Sequence, residues 1–240
     1  MKISIAQVQP TKGDIESNIL RHLRWIKMAI KDQSDLVFFS ELSLTSYEPT
    51  LAKSLAMSLD DPRLAVFQDL SHQHSITIGL GLPTAASNGQ MISMAFFQPD
   101  KSLRTYSKQQ LHADEKPFFM EGEGQLIVET KNQKIAPAIC YESLQRSHIE
   151  NAQRLGANIY LASVAKDQNG IDKGLAHYPN VAKEFAMPVL MSNCVGFCDN
   201  FHSAGQSAVW NKDGRLMAAL SSTEEGILTF DTQSEEVSKQ

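Results

Sequence analysis

Apolar and polar positions along this chain switch repeatedly between two periods. Ile3 to Val8 (ISIAQV) reads as a strand, and Asn18 to Lys31 then sets Ile19, Leu23, Ile26 and Ile30 at helical spacing. Leu36 to Phe39 is a compact apolar strand ending at Ser40-Glu41. Pro62 to His72 predicts a helix with the proline in its first turn, where a missing N–H is tolerated. Ser75 to Leu82 predicts another strand, and Met91–Phe97, Leu103–Tyr106 and Gln125–Thr130 are strand-like. Ile135–Ile139 follows as a strand, then a helix from about Ser147 to Leu155. Asn158–Ala162 (strand), Gly174–Ala186 (helix) and Val189–Ser192 (strand) continue the alternation. The end reads antiparallel: Ser207–Trp210, a turn through Asp213-Gly214, Leu216–Leu220 and Gly226–Phe230, with Asp-Gly a strong hairpin signal. Ser234–Gln240 is expected to be a solvated or frayed tail.

Strands alternating with helices imply an α/β protein with crossover units, and the additional β-rich runs imply more than one sheet or a large mixed one. No linker, repeat or low-complexity segment interrupts residues 1–240, so one domain is expected. An apolar content of 42% supplies one sizeable core. The charge balance of 22 basic and 27 acidic side chains, with no basic stripe, argues against nucleic-acid binding. No stretch approaches the roughly 18 apolar residues of a membrane helix, and the N-terminus lacks a signal-peptide core. A soluble cytoplasmic protein is therefore expected. Its three cysteines, Cys140, Cys194 and Cys198, do not make a disulfide scaffold.

In open α/β sheets, ligands gather beyond the carboxyl ends of strands. Glu41, Lys108 and Cys140 each stand just past a strand-like run, and Glu115 follows in the loop after Lys108. Together they hold the parts of a nucleophilic site: a thiol, a carboxylate to take its proton and an ammonium to stabilise developing negative charge. Singly, each has a plainer reading. A cysteine closing an apolar strand is commonly a small core residue, and an isolated lysine or glutamate commonly faces solvent. Spacing alone does not bring the four together.

Motif order adds to this. ISIAQVQPTKGDIESN, LVFFSELSLTSY, TYSKQQL, ADEKPFFMEGEG, IAPAICYESL, NVAKEFAMPVLMSNCVG and HSAGQSAVWNKDGRLMA resemble, in sequence order, the segments of the nitrilase or carbon–nitrogen hydrolase superfamily. The match runs over nearly the whole chain. The resemblance implies a four-layer α-β-β-α sandwich that pairs into a homodimer or larger homo-oligomer. It implies Glu41 as base, Cys140 as nucleophile, Lys108 and the Tyr141 amide as oxyanion donors, and Glu115 as the group that orients Lys108 or assists proton transfer. It also implies a small-molecule amide substrate and a reaction that uses neither metal nor organic cofactor; Tyr47, Tyr141 and Lys166 are the candidate substrate-binding residues.

The chain departs from the family's usual pattern at several positions. Ser40 stands where a proline is common, Ser46 where a glycine precedes Tyr47, and Glu142 where an aspartate often follows Cys-Tyr. Val181 and Phe185 replace an Arg and an Asn. Lys166 stands where many relatives have an aromatic residue near the acyl pocket; it reads most simply as a solvated loop lysine, and alternatively as a point charge for a substrate carboxylate. The favoured substrate is a small amide, with an ω-amide of a dicarboxylate suiting a pocket lysine; a carbamoyl compound and a nitrile are the alternatives, and a catalytically silent scaffold and acyl transfer to an amine are the remaining readings. Cys194, Cys198 and His202 repeat at intervals of four but lack the paired spacing of a zinc site, and read instead as a loop at the pocket mouth. Gly79 and Gly81 lack the third glycine and following helix of a dinucleotide fingerprint and read as packing.

Overall fold

Residues 1–240 are described by a computed structural model. The chain folds into β1 (Lys2–Gln7), α1 (Ile15–Lys31), β2 (Leu36–Phe38), a short α2 (Ala52–Leu55), α3 (Ala65–His74), β3 (Thr77–Ala86), β4 (Gly89–Phe97) and β5 (Arg104–Ser107). The second half supplies β6 (Val128–Thr130), β7 (Gln133–Ile139), α4 (Arg146–Arg154), β8 (Ile159–Ser163), α5 (Gln168–Phe185) and β9 (Val189–Ser192). A hairpin of β10 (Val195–Cys198) and β11 (Phe201–Ala204) follows, then β12 (Ala208–Trp210), β13 (Leu216–Ala219), β14 (Gly226–Asp231) and β15 (Val237–Lys239).

The strands form two mixed sheets, ordered β15-β14-β1-β2-β3-β4-β5 and β13-β12-β9-β8-β7-β6. Period-two alternation explains how they stack. Ile3, Ile5, Leu36, Phe38 and Met94 of the first sheet meet Ile135, Ile139, Ile159 and Leu161 of the second in one buried cluster. The alternate residues point outward. Val37, Phe39, Ile78 and Leu80 pack on Ile19, Trp25 and Ile26 of α1 and Phe67 of α3. Ala136, Ala138, Tyr160 and Ala162 pack on Ile149 and Ala152 of α4 and Ile171, Tyr178 and Val181 of α5. The layers are therefore α-β-β-α. No helix is long and apolar enough to cross a membrane.

Several boundaries move from those the sequence predicts. Helix α1 starts at Ile15 because the Asp14 carboxylate accepts the Ser17 N–H at 3.0 Å and caps it. Helix α5 starts six residues earlier than predicted, at Gln168, capped by Asp167 through Gly170 N–H at 2.8 Å. It continues through Gly174 and Pro179, where burial of Ile171, Tyr178 and Val181 outweighs poor local propensity. Gly174 is needed there, since a Cβ would lie 2.9 Å from the Tyr178 ring. The expected frayed tail is corrected: Val237–Lys239 pairs with β14 as an edge strand, hydrogen-bonded along one side. The β10–β11 hairpin, expected as a loop, is a two-stranded unit of its own.

Candidate active site

Three of the four candidate residues follow strand ends. Glu41 lies three residues beyond β2 and Lys108 directly after β5, both in the first sheet, while Cys140 directly follows β7 of the second. The site therefore sits on the seam between the sheets. The Glu41 loop is bent by Leu42 (φ +50°) and Ser46 (φ +65°), left-handed positions that account for the glycine usual at Ser46. It crosses Gly81 so closely that a Cβ there would stand 2.5 Å from Leu42 N and from Ser40 O. Leu44 N–H donates to Gly81 O at 2.9 Å, and His22 Nε2 lies 2.9 Å from Ser43 Oγ in the same loop. Gly81→Ala must push this loop away, and a displacement of order 1 Å in a catalytic group costs about a hundredfold in turnover. Steady-state kinetics on the folded variant check this, with wild-type turnover as the refuting result.

The Lys108 ammonium donates to Glu41 Oε1 at 2.8 Å and to Glu115 Oε1 at 2.6 Å, and all three side chains are buried. Glu115 is itself fixed: Oε1 accepts the Tyr47 hydroxyl at 3.1 Å and Oε2 the His112 N–H at 2.7 Å. Burial pushes the Glu41 carboxyl up to about 7, with Lys108 pulling it back and the Glu115 charge adding to the rise. Burial works to lower the Lys108 pKa, but Glu41, the Cys140 sulfur and Glu115 outweigh it and hold the ammonium charged. Glu41 Oε2 is buried without a partner, which leaves it free for the neighbouring Cys140 thiol.

Cys140 is half-buried and adopts φ +48°, a left-handed conformation uncommon for a non-glycine residue and characteristic of strained functional positions. The strain turns β7 into the short 3₁₀ turn Cys140–Leu144. Tyr141 N–H then stands in the first turn, where backbone donors have no partner within the turn. Ser143 Oγ donates to Cys140 O at 2.6 Å and lies 2.7 Å from Tyr178 OH, tying the nucleophile's backbone to α5. The thiol lies 3.8 Å from Ala165 O. Burial raises the thiol to about 11, Glu41 adds to that, and Lys166 and Lys108 oppose it.

Cys140 opens into a cavity of about 430 Å³ lined also by Tyr47, Glu115, Tyr141, Lys166, Lys173 and Phe201, a size suited to a small ligand. The solvated-loop expectation for Lys166 is corrected, because the residue is only 8% exposed. Its backbone N–H donates to Asn193 Oδ1, and its carbonyl accepts from Ala204 N–H, Asn193 Nδ2 and Ser203 Oγ. These contacts, from Asn193 just past β9 and from β11, hold the backbone, and the ammonium has no ion pair. Asp199 and Asn200 at the tip of the β10–β11 hairpin, with Phe201, form the cavity mouth. Cys194 and Cys198 point inward with sulfurs 3.6 Å apart, whereas His202 is exposed beside Phe197, so the three do not converge. A larger polar cleft of about 590 Å³, near Gln98 and Lys131–Lys134, contains none of the candidate residues.

Glu41, Lys108, Glu115, Cys140, Tyr47, Tyr141 and Lys166 are thus gathered at one site. Sequence reasoning missed the supporting residues Ser143, Tyr178 and Asn193, whose ties run from Ser143 to Tyr178 and from Asn193 to Lys166, far apart in sequence. The packing role read for Gly81 is borne out by the close approach of Ser40 and Leu42.

An α-β-β-α sandwich with cysteine, glutamate and lysine on its seam defines a hydrolase class. The chain belongs to the carbon-nitrogen hydrolase family, whose sequence model matches residues 2–240. It is 27% identical to the glutamine-dependent NAD(+) synthetase of Acinetobacter baylyi over 228 residues, covering 90% of this chain and 41% of that protein. The chain thus spans about two-fifths of the length of such synthetases. It is 23% identical to a probable nitrilase of Schizosaccharomyces pombe, covering 96% of this chain and 88% of that one. In structure it resembles a mutant of the amidase from Nesterenkonia sp. AN1 in complex with butyramide, with TM-score 0.87, 19% identity, and coverage of 98% and 92%.

Proposed function

We propose that this protein is an amidase that cleaves a small, carboxylate-bearing ω-amide to acid and ammonia through a Cys140 thioester. Glu41 takes the thiol proton as Cys140 attacks the amide carbonyl. The oxyanion is held by the Lys108 ammonium and the Tyr141 N–H. Glu41 returns the proton to the departing ammonia, then activates the water that hydrolyses the thioester. Glu115, held by Tyr47, keeps Lys108 oriented throughout.

The observation that carries the carboxylate is Lys166, a buried cation without an ion pair in the cavity that holds the nucleophile. The glutamine dependence named for the synthetase relatives agrees with it, since glutamine is itself an ω-amide with a carboxylate. The same relatives favour a second reading, in which the chain is a glutaminase unit whose ammonia feeds a separate synthetase. Carbamoyl and nitrile substrates share the nucleophile chemistry and are tested alongside.

Ammonia release from a panel of neutral amides, ω-amides of dicarboxylates (glutamine among them), carbamoyl compounds and nitriles tests the proposal. The ω-amides are expected to lead; a lead by neutral amides or nitriles would sink the carboxylate assignment. The acid limb of kcat/KM is expected near pH 7, because Glu41 must be deprotonated to act and its pKa is raised to about 7. Activity should therefore fall as pH drops through that value, well above the ordinary carboxylate range. A limb near pH 4 would mean that the charge of Lys108 offsets burial and Glu41 titrates as an ordinary carboxylate.

A further inference from the structure

We infer that Glu142 is a positioning residue that sets the geometry of the oxyanion site by clamping the Cys140 corner to the Lys108 corner; the inference rests on the amidase reading above. Glu142 is fully buried. Its Oε1 accepts the Ile139 N–H at 2.8 Å and the Tyr106 hydroxyl at 2.6 Å. Its Oε2 accepts the N–H groups of Gln109 at 2.8 Å and Gln110 at 3.3 Å. Ile139 immediately precedes the nucleophile and Gln109 immediately follows the lysine.

The clamp matters because of topology. β5 carries Lys108 in one sheet and β7 carries Cys140 in the other, and no strand pairing joins the two sheets. One carboxylate bridges them, with each of its oxygens accepting two donors. Of the two oxyanion donors, Lys108 directly precedes the Gln109 contact and the Tyr141 N–H lies two residues past the Ile139 contact. Donors of this kind act only when held close to the position the oxyanion will occupy.

A second tier stiffens the clamp. His148 Nε2 lies 2.8 Å from Tyr106 OH, and its Nδ1 lies 2.8 Å from Tyr160 OH. Tyr106 donates to Glu142, so the network assigns the Nε2–H donor to the Tyr106 oxygen and the Nδ1 acceptor to the Tyr160 hydroxyl. Burial, which lowers the His148 pKa to about 4, agrees with this neutral tautomer. An aspartate, common at this position in the family, is one methylene shorter and cannot hold both arms at their present lengths.

Two reactions of Cys140 separate positioning from mere folding. Acylation by p-nitrophenyl acetate passes through an oxyanion; alkylation by iodoacetamide does not. Glu142→Gln replaces an acceptor by an amide donor facing backbone N–H groups. It should slow the acylation burst about a hundredfold, as losing an oxyanion donor does, with alkylation changed less than about threefold. Glu142→Asp should restore acylation in part, and it carries the same ratio test if Glu142→Gln does not fold. Acylation and alkylation falling together, or neither falling, would overturn the clamp. A wild-type Cys140 inert to both reagents would sink the amidase reading, and the clamp with it.

Discussion

Cys140→Ala is expected to abolish amide turnover, by about 10⁶-fold as in other nucleophile deletions, while leaving the fold intact. The stability half follows from position. Alanine carries the same left-handed cost as cysteine at φ +48°, so the exchange adds no backbone strain, and a half-buried sulfur fills little core. The catalytic half follows from electrostatics. Burial, with Glu41 beside it, raises the thiol to about 11, so the resting site holds a thiol and the attack depends on proton transfer to Glu41. Nucleophile and base thus act as a unit, and Glu41→Gln should cost nearly as much as Cys140→Ala, with the double variant adding little. Circular dichroism with single-turnover kinetics checks both halves. Substrate binding, read as a thermal shift, should survive in the alanine variant. Turnover at the wild-type level would remove Cys140 from the chemistry.

The sequence exposes this site unevenly, for physical reasons. Strand ends are legible because the period-two run stops, and Glu41, Lys108 and Cys140 each sit at such a stop. Their convergence is not legible, because it depends on how two sheets stack and no local pattern encodes that. Motif order supplied it by resemblance. The start of α5 at Gln168 is not legible because Gln168–Lys173 (QNGIDK) carries a single apolar residue, Ile171, too few to show a helical period. The burial of Lys166 was invisible for a similar reason: Asn193, Ser203 and Ala204, which cover its backbone, lie 27 to 38 residues further along. Glu142 shows in the sequence only as a glutamate where an aspartate is common, and nothing local reveals that its two oxygens reach both Ile139 and Gln109.

Lys166→Met is expected to separate stability from specificity. A buried cation without a counter-ion is costly, and replacing such a charge by an apolar side chain of similar volume is commonly neutral or stabilising. The melting temperature should therefore hold or rise. Burial acts most strongly to lower the Lys166 pKa, but the Cys140 sulfur, Tyr178 and Glu41 more than offset it, so the ammonium stays charged and available to an anion. A hydrogen bond to a charged group is worth about 1.5–3 kcal/mol, so kcat/KM for an ω-amide carboxylate should fall about 10- to 100-fold. A neutral amide of the same length should change by less than about threefold, because it never used that charge. Comparing the two substrates tells one role from another. Loss confined to the carboxylate amide makes Lys166 the specificity residue. Equal loss on both would assign its charge to the Cys140 thiolate, which it also faces, and the pocket would then have to recognise the substrate through Lys173 or the β10–β11 hairpin at its mouth.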